Sequence, residues 1–239
     1  MNLLIDAFEH TDEVSSVVVE PGATVFELTH HLLRHGYMLE YTLEMEEVTL
    51  GGLAMATDMT THSHTCGLLN ETVLAYEVDL TDSLVVQVTK AAYPDFFHAL
   101  SWSHGTLGLL VSLELRIVPP RPSARVEYFP FTNQRDFIEY YNRAVQSERS
   151  NQEKEEEEKE KSFFLETIVF RKEEAVVMKG YLSDGNEEGV NVNTIGRYYK
   201  PWFFKHVESI LCTNHNSSST SKAARVELIP IYDYIMRND

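Results

Sequence analysis

The most constraining feature of this 239-residue sequence is a nineteen-residue stretch of mainly small side chains, TLGGLAMATDMTTHSHTCG, at residues 49–67. Thirteen of its residues are Gly, Ala, Ser, Thr or His. Side chains this small let a backbone come close to a ligand or to another backbone. A strand-then-helix pattern precedes the stretch and a strand pair follows it, so we predict a loop between packed elements. Loops on a rigid frame are where binding concentrates.

Local patterns predict the elements around this loop. Thr24 and Glu27 have the spacing of a capping box, and the apolar residues that follow predict a helix from Val25 to about His35. Two β-rich runs separated by Asp82-Ser83 predict a hairpin. The further elements expected in this half are hairpin strands at 72–80 and 84–88, a helix at 94–100, a glycine-bearing turn at 101–108 and a strand at 109–118.

The cluster Pro119-Pro120-Arg121-Pro122 predicts a domain boundary that separates residues 1–120 from residues 121–239. Pro201 is predicted to be the first residue of a helix. The acidic insertion at 150–162 is expected to be solvated, either helical or disordered, and residues 214–221 form a polar loop. The remaining elements expected here are strands at 126–131, 163–170 and 175–182 and a helix at 134–146. The fold class predicted from this order is α+β.

Charge and composition exclude several classes of function. The formal net charge is -17, and removal of the acidic insertion still leaves -14. Binding to nucleic acid or to an anionic membrane surface needs clustered Lys and Arg, so neither is predicted. Two cysteines provide no disulfide framework. The sequence shows neither a basic signal peptide nor a run of about 18 apolar residues, so this chain alone is expected to be soluble.

Catalytic and metal motifs are weak. His62, His64 and Cys66 would share one side of an extended segment, a conceivable start of a zinc site, but a fourth ligand is not evident. His31 and His35 have a possible ligand spacing, although a solvated helix face explains them equally simply. No metal is therefore predicted. G-x-S-x-G, Walker A and G-x-G-x-x-G patterns are absent from the sequence. The aromatic run at 198–208 either lines an apolar pocket or packs in a core.

The ordered set of motifs between residues 17 and 119 resembles the FAD-binding domain of the vanillyl-alcohol-oxidase type, also called PCMH-type. The matching pieces, in order, are Pro21-Gly22, Thr49-Leu50-Gly51-Gly52, Gly67, Asp95-Phe96-Phe97-His98-Ala99 and Gly105-Thr106-Leu107-Gly108. The resemblance implies the second subdomain of this FAD-binding fold, with a mixed or antiparallel sheet and flanking helices. A smaller α+β substrate or cap region would follow it.

The second half narrows the resemblance. IGRYYKPWFFKHVE at 195–208 looks like a segment of the delta(24)-sterol reductase family. That resemblance implies reduction of the C24–C25 double bond of a sterol side chain. NADPH would reduce FAD, reduced flavin would pass a hydride to the alkene, and a protein group or water would supply the proton. It also implies a position on the cytosolic face of the endoplasmic reticulum membrane.

The same resemblance suggests site residues, while the catalytic residue stays unassigned. The expected sterol contacts are Tyr198, Tyr199, Lys200 and Trp202. The expected FAD contacts are Thr49, Leu50, Gly51, Gly52, Leu53, Ala54, Met55, Ala56, Thr57, Asp58, Met59, Thr60, Thr61, Gly67, Gly105 and Gly108. Backbone amides and small side chains of residues 49–61 would approach the pyrophosphate and the isoalloxazine side.

Some positions depart from the family pattern. Ala56 and Asp58 stand where the family has glycine, and a left-handed backbone at either would cost about 1 kcal/mol or more. Asp58 also brings a negative charge near a pyrophosphate, and Leu50 replaces a valine. The family begins with a membrane-anchoring helix and a first FAD subdomain, so a partial copy is expected, with membrane association only through a segment absent here. Two alternatives stay open: an inactive remnant acting as a binding module, and another PCMH-type flavin oxidase.

Overall fold

The computed structural model describes residues 5–10, 15–56, 58–81, 84–152, 162–213 and 225–237. The chain divides into two compact units, Met1–Pro120 and Arg121–Asp239, at the proline cluster. Four features singled out in the sequence lie outside the described residues: Thr57, the Asp82-Ser83 turn, most of the acidic insertion (153–161) and the polar loop at 214–221.

Within the described residues, the first unit contains a six-stranded sheet whose strand pairs are all antiparallel. Its strands are β1 (Ile5–His10), β2 (Ser15–Val19), β3 (Met38–Leu39), β4 (Val73–Asp79), β5 (Val85–Thr89) and β6 (Leu109–Val118). Their order is β1-β2-β6-β4-β5, with β3 added to β6. In the central strand β6, Leu113, Leu115 and Ile117 are buried because alternate side chains point to the same face.

The helices of this unit are short. They are α1 (Val25–Arg34), α2 (Leu50–Ala56), α3 (Ser63–Cys66), α4 (Leu69–Thr72) and α5 (Pro94–Leu100). The predicted capping box of α1 is confirmed: Glu27 N–H donates to Thr24 Oγ1 at 3.2 Å, and Thr24 N–H donates to Glu27 Oε2 at 2.9 Å. The predicted helix at 94–100 and strand at 109–118 are confirmed at both ends.

The predicted hairpin is also confirmed. In β4 and β5, Ala75 lies opposite Thr89 and Asp79 lies opposite Val85, in antiparallel register. β4 pairs on its other edge with β6, so it is an inner strand of the sheet. Tyr76 and Val78 of β4 are fully buried. The hairpin thus supplies part of the core of the first unit.

The second unit has a five-stranded sheet within the described residues, in the order β10-β11-β7-β9-β8. The strands are β7 (Ser123–Phe131), β8 (Phe164–Arg171), β9 (Glu174–Ser183), β10 (Asn191–Val192) and β11 (Arg225–Pro230). Only the short β10–β11 pair among these described strands is parallel. The three predicted strands of this half are thereby confirmed, with ends shifted by up to three residues.

In the described part of this unit, three helices cover the sheet: α6 (Gln134–Gln152), α7 (Phe203–Thr213) and α8 (Ile231–Ile235). α6 packs Tyr140 against Phe129 and Phe131, with ring centroids 4.9 and 5.2 Å apart. It continues six residues beyond the predicted end because residues 147–152 contain neither Gly nor Pro. Among the described helices, none has the length and apolar character that a membrane crossing requires.

The prediction that Pro201 begins a helix is wrong, because α7 begins at Phe203. The carbonyl of Trp202 accepts hydrogen bonds from Lys205 N–H at 2.9 Å and His206 N–H at 3.0 Å. Trp202 is therefore the residue that flanks the helix. Pro201 lies outside it, where its missing N–H removes no helical hydrogen bond.

Candidate functional site

The small-residue stretch contains helices where a loop was predicted. α2 follows Thr49 directly, and α3 lies near the end of the stretch. Leu50 N–H donates to Ala23 O and Gly51 N–H donates to Pro21 O, both at 2.9 Å. These distant carbonyls satisfy N–H groups that a helix start leaves without intrahelical partners, so α2 forms despite its two glycines.

The two glycines of α2 have different surroundings. Gly51 is buried, and a Cβ there would clash with Pro21, coming within 3.0 Å of its Cα and its carbonyl oxygen. Gly52 is exposed, and a Cβ there would meet only Thr49 Oγ1 at 3.0 Å. Gly51 therefore lets two backbones touch, whereas Gly52 leaves a bare backbone surface facing solvent.

Side chains that precede the stretch fix the segment after α2. The hydroxyl of the buried Tyr41 donates to Asp58 O at 3.0 Å and accepts from Thr60 N–H at 3.1 Å. Thr61 N–H donates to a carboxylate oxygen of Glu44 at 3.2 Å. Residues 58–61 are thus held at defined points of the first unit.

The backbone conditions anticipated for Ala56 and Asp58 do not arise. Among described non-glycine residues, positive φ angles occur at Tyr93, Trp102 and His104. Neither Ala56 nor Asp58 therefore carries left-handed strain. Burial raises the pKa of the Asp58 carboxyl, because the half-buried position disfavours its charged form.

The second glycine-bearing turn, at 101–108, docks onto the end of α2. His104 N–H donates to Met55 O at 3.2 Å, and the hydroxyl of the buried Ser103 donates to Met55 Sδ at 3.2 Å. Trp102 and His104 have φ angles of 65° and 49°, and their rings lie 5.3 Å apart. Non-glycine residues held in this region of φ occur preferentially at functional sites. Sequence reasoning missed both residues, and nothing local in the sequence signals their φ angles.

The predicted FAD contacts divide by exposure. Gly105 lies in the turn just described, whereas Gly108 meets β4: a Cβ there would clash with Val78 and come within 3.0 Å of Asp79 O. Gly67 ends α3 with a φ of 78°. Facing the core are Leu50, Gly51, Ala54 and Met55; half-buried are Leu53, Ala56, Asp58, Thr60, Thr61, Gly67 and Gly108; exposed are Thr49, Gly52, Met59 and Gly105. Only the exposed and half-buried groups have surface for a ligand.

The residues present fit an uncharged part of a flavin and do not fit its pyrophosphate. Of the amides at the start of α2, those of Leu50 and Gly51 already donate inward. Lys and Arg number three in residues 1–120, against seventeen Asp and Glu. Among the three, Arg116 pairs with Glu40 at 3.5 Å, and Lys90 donates to the carbonyl oxygen of Glu71 at 2.7 Å. A flat ring can lie on the bare backbone at Gly52, whereas phosphate charge finds few cations here.

The expected alternation of His62, His64 and Cys66 is wrong because the segment is a helical turn. His62 is buried, and its Nε2 lies 3.6 Å from Cys66 Sγ. Burial lowers the pKa of His62 to about 4, with His64 contributing in the same direction. No group of three or more possible metal ligands occurs in the described part of the chain. On α1, His35 Nδ1 lies 2.8 Å from His31 O, so that ring contacts its own helix.

In the second unit, the predicted sterol contacts lie on the surface just before α7. Tyr198, Lys200 and Trp202 line a cleft of about 200 Å³, together with Pro201 and Phe203. Tyr199 does not line this cleft, although its ring lies 5.4 Å from that of Tyr198. These four residues are exposed, so they are not core packing.

A buried ionic network that sequence reasoning missed borders a neighbouring cleft of about 180 Å³. Glu227 is fully buried; its Oε2 accepts from Asn193 Nδ2 at 3.1 Å and lies 2.8 Å from His206 Nε2. Arg225 Nε contacts its Oε1 at 2.6 Å. Burial acts to raise the pKa of Glu227, but the bond with His206, followed by its charge, Asn193 and Arg225, lowers it overall. The network therefore brings two titratable side chains, His206 and Glu227, into direct contact beside this cleft.

The chain is similar to a known family and to several curated proteins. Residues 2–89 match the family described as FAD binding domain. Delta(24)-sterol reductases of Homo sapiens and Mus musculus are 33% and 34% identical to this chain over 235 residues, which is 98% of it. The delta(24)-sterol reductase of Pisum sativum is 32% identical over 228 residues, 92% of this chain.

The matched part of those relatives is limited. The alignments cover 42% of the human and mouse proteins and 38% of the pea protein. The chain thus spans about two fifths of the length of the curated relatives it matches, and the alignments include both of its units.

Proposed function

This chain belongs to the FAD-binding family of the delta(24)-sterol reductases, and from that premise we propose that it forms part of an FAD-dependent oxidoreductase acting on a sterol. The finer proposal is reduction of the C24–C25 side-chain double bond with electrons from NADPH, at the endoplasmic reticulum membrane. The names of the relatives support the sterol, and the family match over residues 2–89 supports FAD.

The observation that carries the FAD assignment is the assembly of three segments in the first unit. Residues 21–23 are hydrogen-bonded to the start of α2, and the turn at 101–108 is hydrogen-bonded to its end at Met55. Gly52, Gly105 and the ring of Trp102 are exposed on these segments. When bound, FAD would supply the hydride chemistry. The residues of this chain would bind and orient its ring: Gly52 through its bare backbone, and Trp102 and His104 through their side chains.

In the second unit we assign the sterol to the surface that carries Tyr198, Tyr199, Lys200 and Trp202. Aromatic rings offer an apolar face of the kind a sterol side chain requires. Beside the adjacent cleft, His206 Nε2 lies 2.8 Å from the carboxylate of Glu227. The proton that an alkene reduction consumes is assigned to this pair.

A second candidate function, a flavin-free binding module, is favoured by the electrostatics of the first unit. Residues 1–120 contain three Lys or Arg and seventeen Asp or Glu. The amides of Leu50 and Gly51 already donate to backbone carbonyls of this unit. A dianionic pyrophosphate would have few neutralising groups in this unit. The two candidates differ in whether the folded chain binds FAD at all.

A flavin titration separates them, because each unit contains one tryptophan, Trp102 or Trp202. In a Trp202→Phe variant, saturable quenching of Trp102 fluorescence by FAD in the micromolar range is expected. A Trp102→Phe variant, which retains only Trp202, is the matched control and should show much weaker quenching. Riboflavin, which lacks phosphates, should bind comparably if the chain contacts the ring.

Absence of saturable binding by a folded chain would refute FAD binding by this chain and favour the binding module. If FAD binds, NADPH-dependent reduction of desmosterol tests the finer proposal. Product formation that requires both FAD and NADPH would support it, and flavin binding without sterol turnover would refute it for this chain.

A further inference from the structure

The segment at 195–207, IGRYYKPWFFKHV, has a composition opposite to that of the rest of the chain. It contains five aromatic residues and three Lys or Arg and no acid, in a chain with 37 Asp and Glu. The division into units sharpens this contrast, because residues 1–120 hold seventeen acids against three cations, while residues 121–239 hold twenty against seventeen. The segment at 195–207 is therefore positively charged although the whole chain has a net negative charge.

Four aromatic side chains of this segment face solvent, and we call them the aromatic patch. They are Tyr198, Tyr199, Trp202 and Phe204, with exposed fractions of 99%, 66%, 67% and 44%. Large apolar side chains exposed next to one another are unusual on a protein surface and mark interaction sites.

A buried residue within the same segment anchors the aromatic patch. Phe203 is buried, and its ring packs 6.3 Å from the ring of Tyr234 and 5.8 Å from the guanidinium of Arg237. Arg237 itself pairs with Glu166 at 2.8 Å. Because the backbone is fixed by Phe203, the neighbouring rings of Trp202 and Phe204 are held outward.

Cations are interleaved with the exposed rings. Lys205 Nζ lies 5.1 Å from the centre of the Phe204 ring, and Lys200 lines the same cleft as Tyr198 and Trp202. Lys205 also pairs with Glu208 at 2.8 Å, just beyond the segment. Amphipathic rings alternating with long basic side chains match the layered chemistry of a lipid headgroup region.

We propose that the aromatic patch docks onto the headgroup region of a phospholipid bilayer. The rings of Trp202 and the two tyrosines lie at the interface, where their apolar bodies and polar edges are both satisfied. Lys200 and Lys205 contact lipid phosphate, whose charge complements theirs. The inference extends the function proposed above, because the surface assigned there to the sterol is here assigned to the bilayer as well. It does not require flavin binding.

Co-sedimentation of the full chain with sterol-free vesicles tests the proposal. Vesicles of phosphatidylcholine with one quarter phosphatidylserine are mixed with the chain without flavin. We expect sedimentation with the vesicles, and quenching by brominated lipid of Trp202 fluorescence in a Trp102→Phe variant. Trp102, whose exposed fraction of 69% matches that of Trp202, should not be quenched in a Trp202→Phe variant.

Charge reversal at single exposed lysines tests whether positive charge on this surface contributes to vesicle binding. Lys200→Glu should weaken vesicle binding about fivefold or more, because each cation near the surface contributes about that factor. Lys172→Glu, at the exposed turn between β8 and β9, makes the same charge change elsewhere and should have no effect. A Tyr198→Ala/Trp202→Ala double variant should weaken binding at least tenfold.

The proposal is overturned if the folded chain fails to sediment with vesicles, which would leave a polypeptide or a soluble ligand as the occupant. It is also overturned if Trp102 is quenched as strongly as Trp202, or if the variants at Lys172 and Lys200 bind equally. The FAD titration contains no lipid, so failure of either proposal is recognised separately.

Discussion

Substituting alanine for either glycine of α2 tests how this helix is held. Both variants add one methyl group to the same short helix, and alanine favours a helix interior over glycine by about 1 kcal/mol. At Gly51 the methyl meets backbone and ring atoms of Pro21, which cannot rotate away. Overpacking of this kind costs about 1–3 kcal/mol. Gly51→Ala should therefore destabilise the first unit by up to about 2 kcal/mol net.

Gly52→Ala is the matched control. Its methyl meets only the rotatable hydroxyl of Thr49, so the helical preference of alanine should leave stability unchanged or raise it by up to about 1 kcal/mol. Because Gly52 faces solvent where we place the flavin ring, the same substitution should weaken FAD binding. Gly51→Ala thus reports on packing and Gly52→Ala on the ligand surface.

The assay is urea unfolding followed by Trp102 fluorescence in a Trp202→Phe background, which reports on the first unit alone. A lower midpoint with an unchanged slope is expected for Gly51→Ala. Equal midpoints for the two variants would refute the close docking of α2 on Pro21. An unchanged FAD affinity in a stable Gly52→Ala variant would refute the assignment of that face to the cofactor.

Three further predictions concern buried polar groups. Tyr41→Phe removes the hydroxyl that bonds Asp58 and Thr60, so it should cost about 1–2 kcal/mol in urea unfolding and speed amide exchange at Thr60. The pKa of His62 is about 4 in the folded chain and 6.5 ordinarily, so between pH 4 and pH 6.5 the unfolded chain binds more protons than the folded chain. Stability of the first unit should fall as the pH drops from 6.5 towards 4, and His62→Gln should flatten that slope in urea midpoints measured across pH. The pKa of Glu227 lies below 4.5, so its contribution is complete above that pH and lost as the pH falls through the lower folded value. Glu227→Gln should cost about 2 kcal/mol at pH 7 and reduce the further loss on acidification, as unfolding at pH 7 and pH 3 will show.

Features that depend on nearby residues could be predicted from the sequence. The capping box of α1, the β4–β5 hairpin, α5 and β6 all follow from periodicity and end signals within about ten residues. The ordered glycine motifs were sufficient to indicate the FAD-binding family, because their order is retained even where single positions such as Leu50 differ.

The candidate site itself depends on contacts between distant residues. Residues 49–56 are too rich in glycine to predict a helix from propensity, and they form one because carbonyls of Pro21 and Ala23, nearly thirty residues earlier, accept from its first N–H groups. The left-handed backbone at Trp102 and His104 likewise arises where their turn docks on Met55. The residue types at these positions give no local signal for the helix or for the left-handed backbone.

Residue types and their order along the chain determined the α+β class, the family and most elements, because these follow from local backbone preferences. Only the tertiary structure decided which of those residues reach the surface. It buried Gly51 and exposed Gly52, and it turned Phe203 inward and its neighbours outward. The physical reason is that burial is set by the packing of segments distant in sequence, which local composition does not encode.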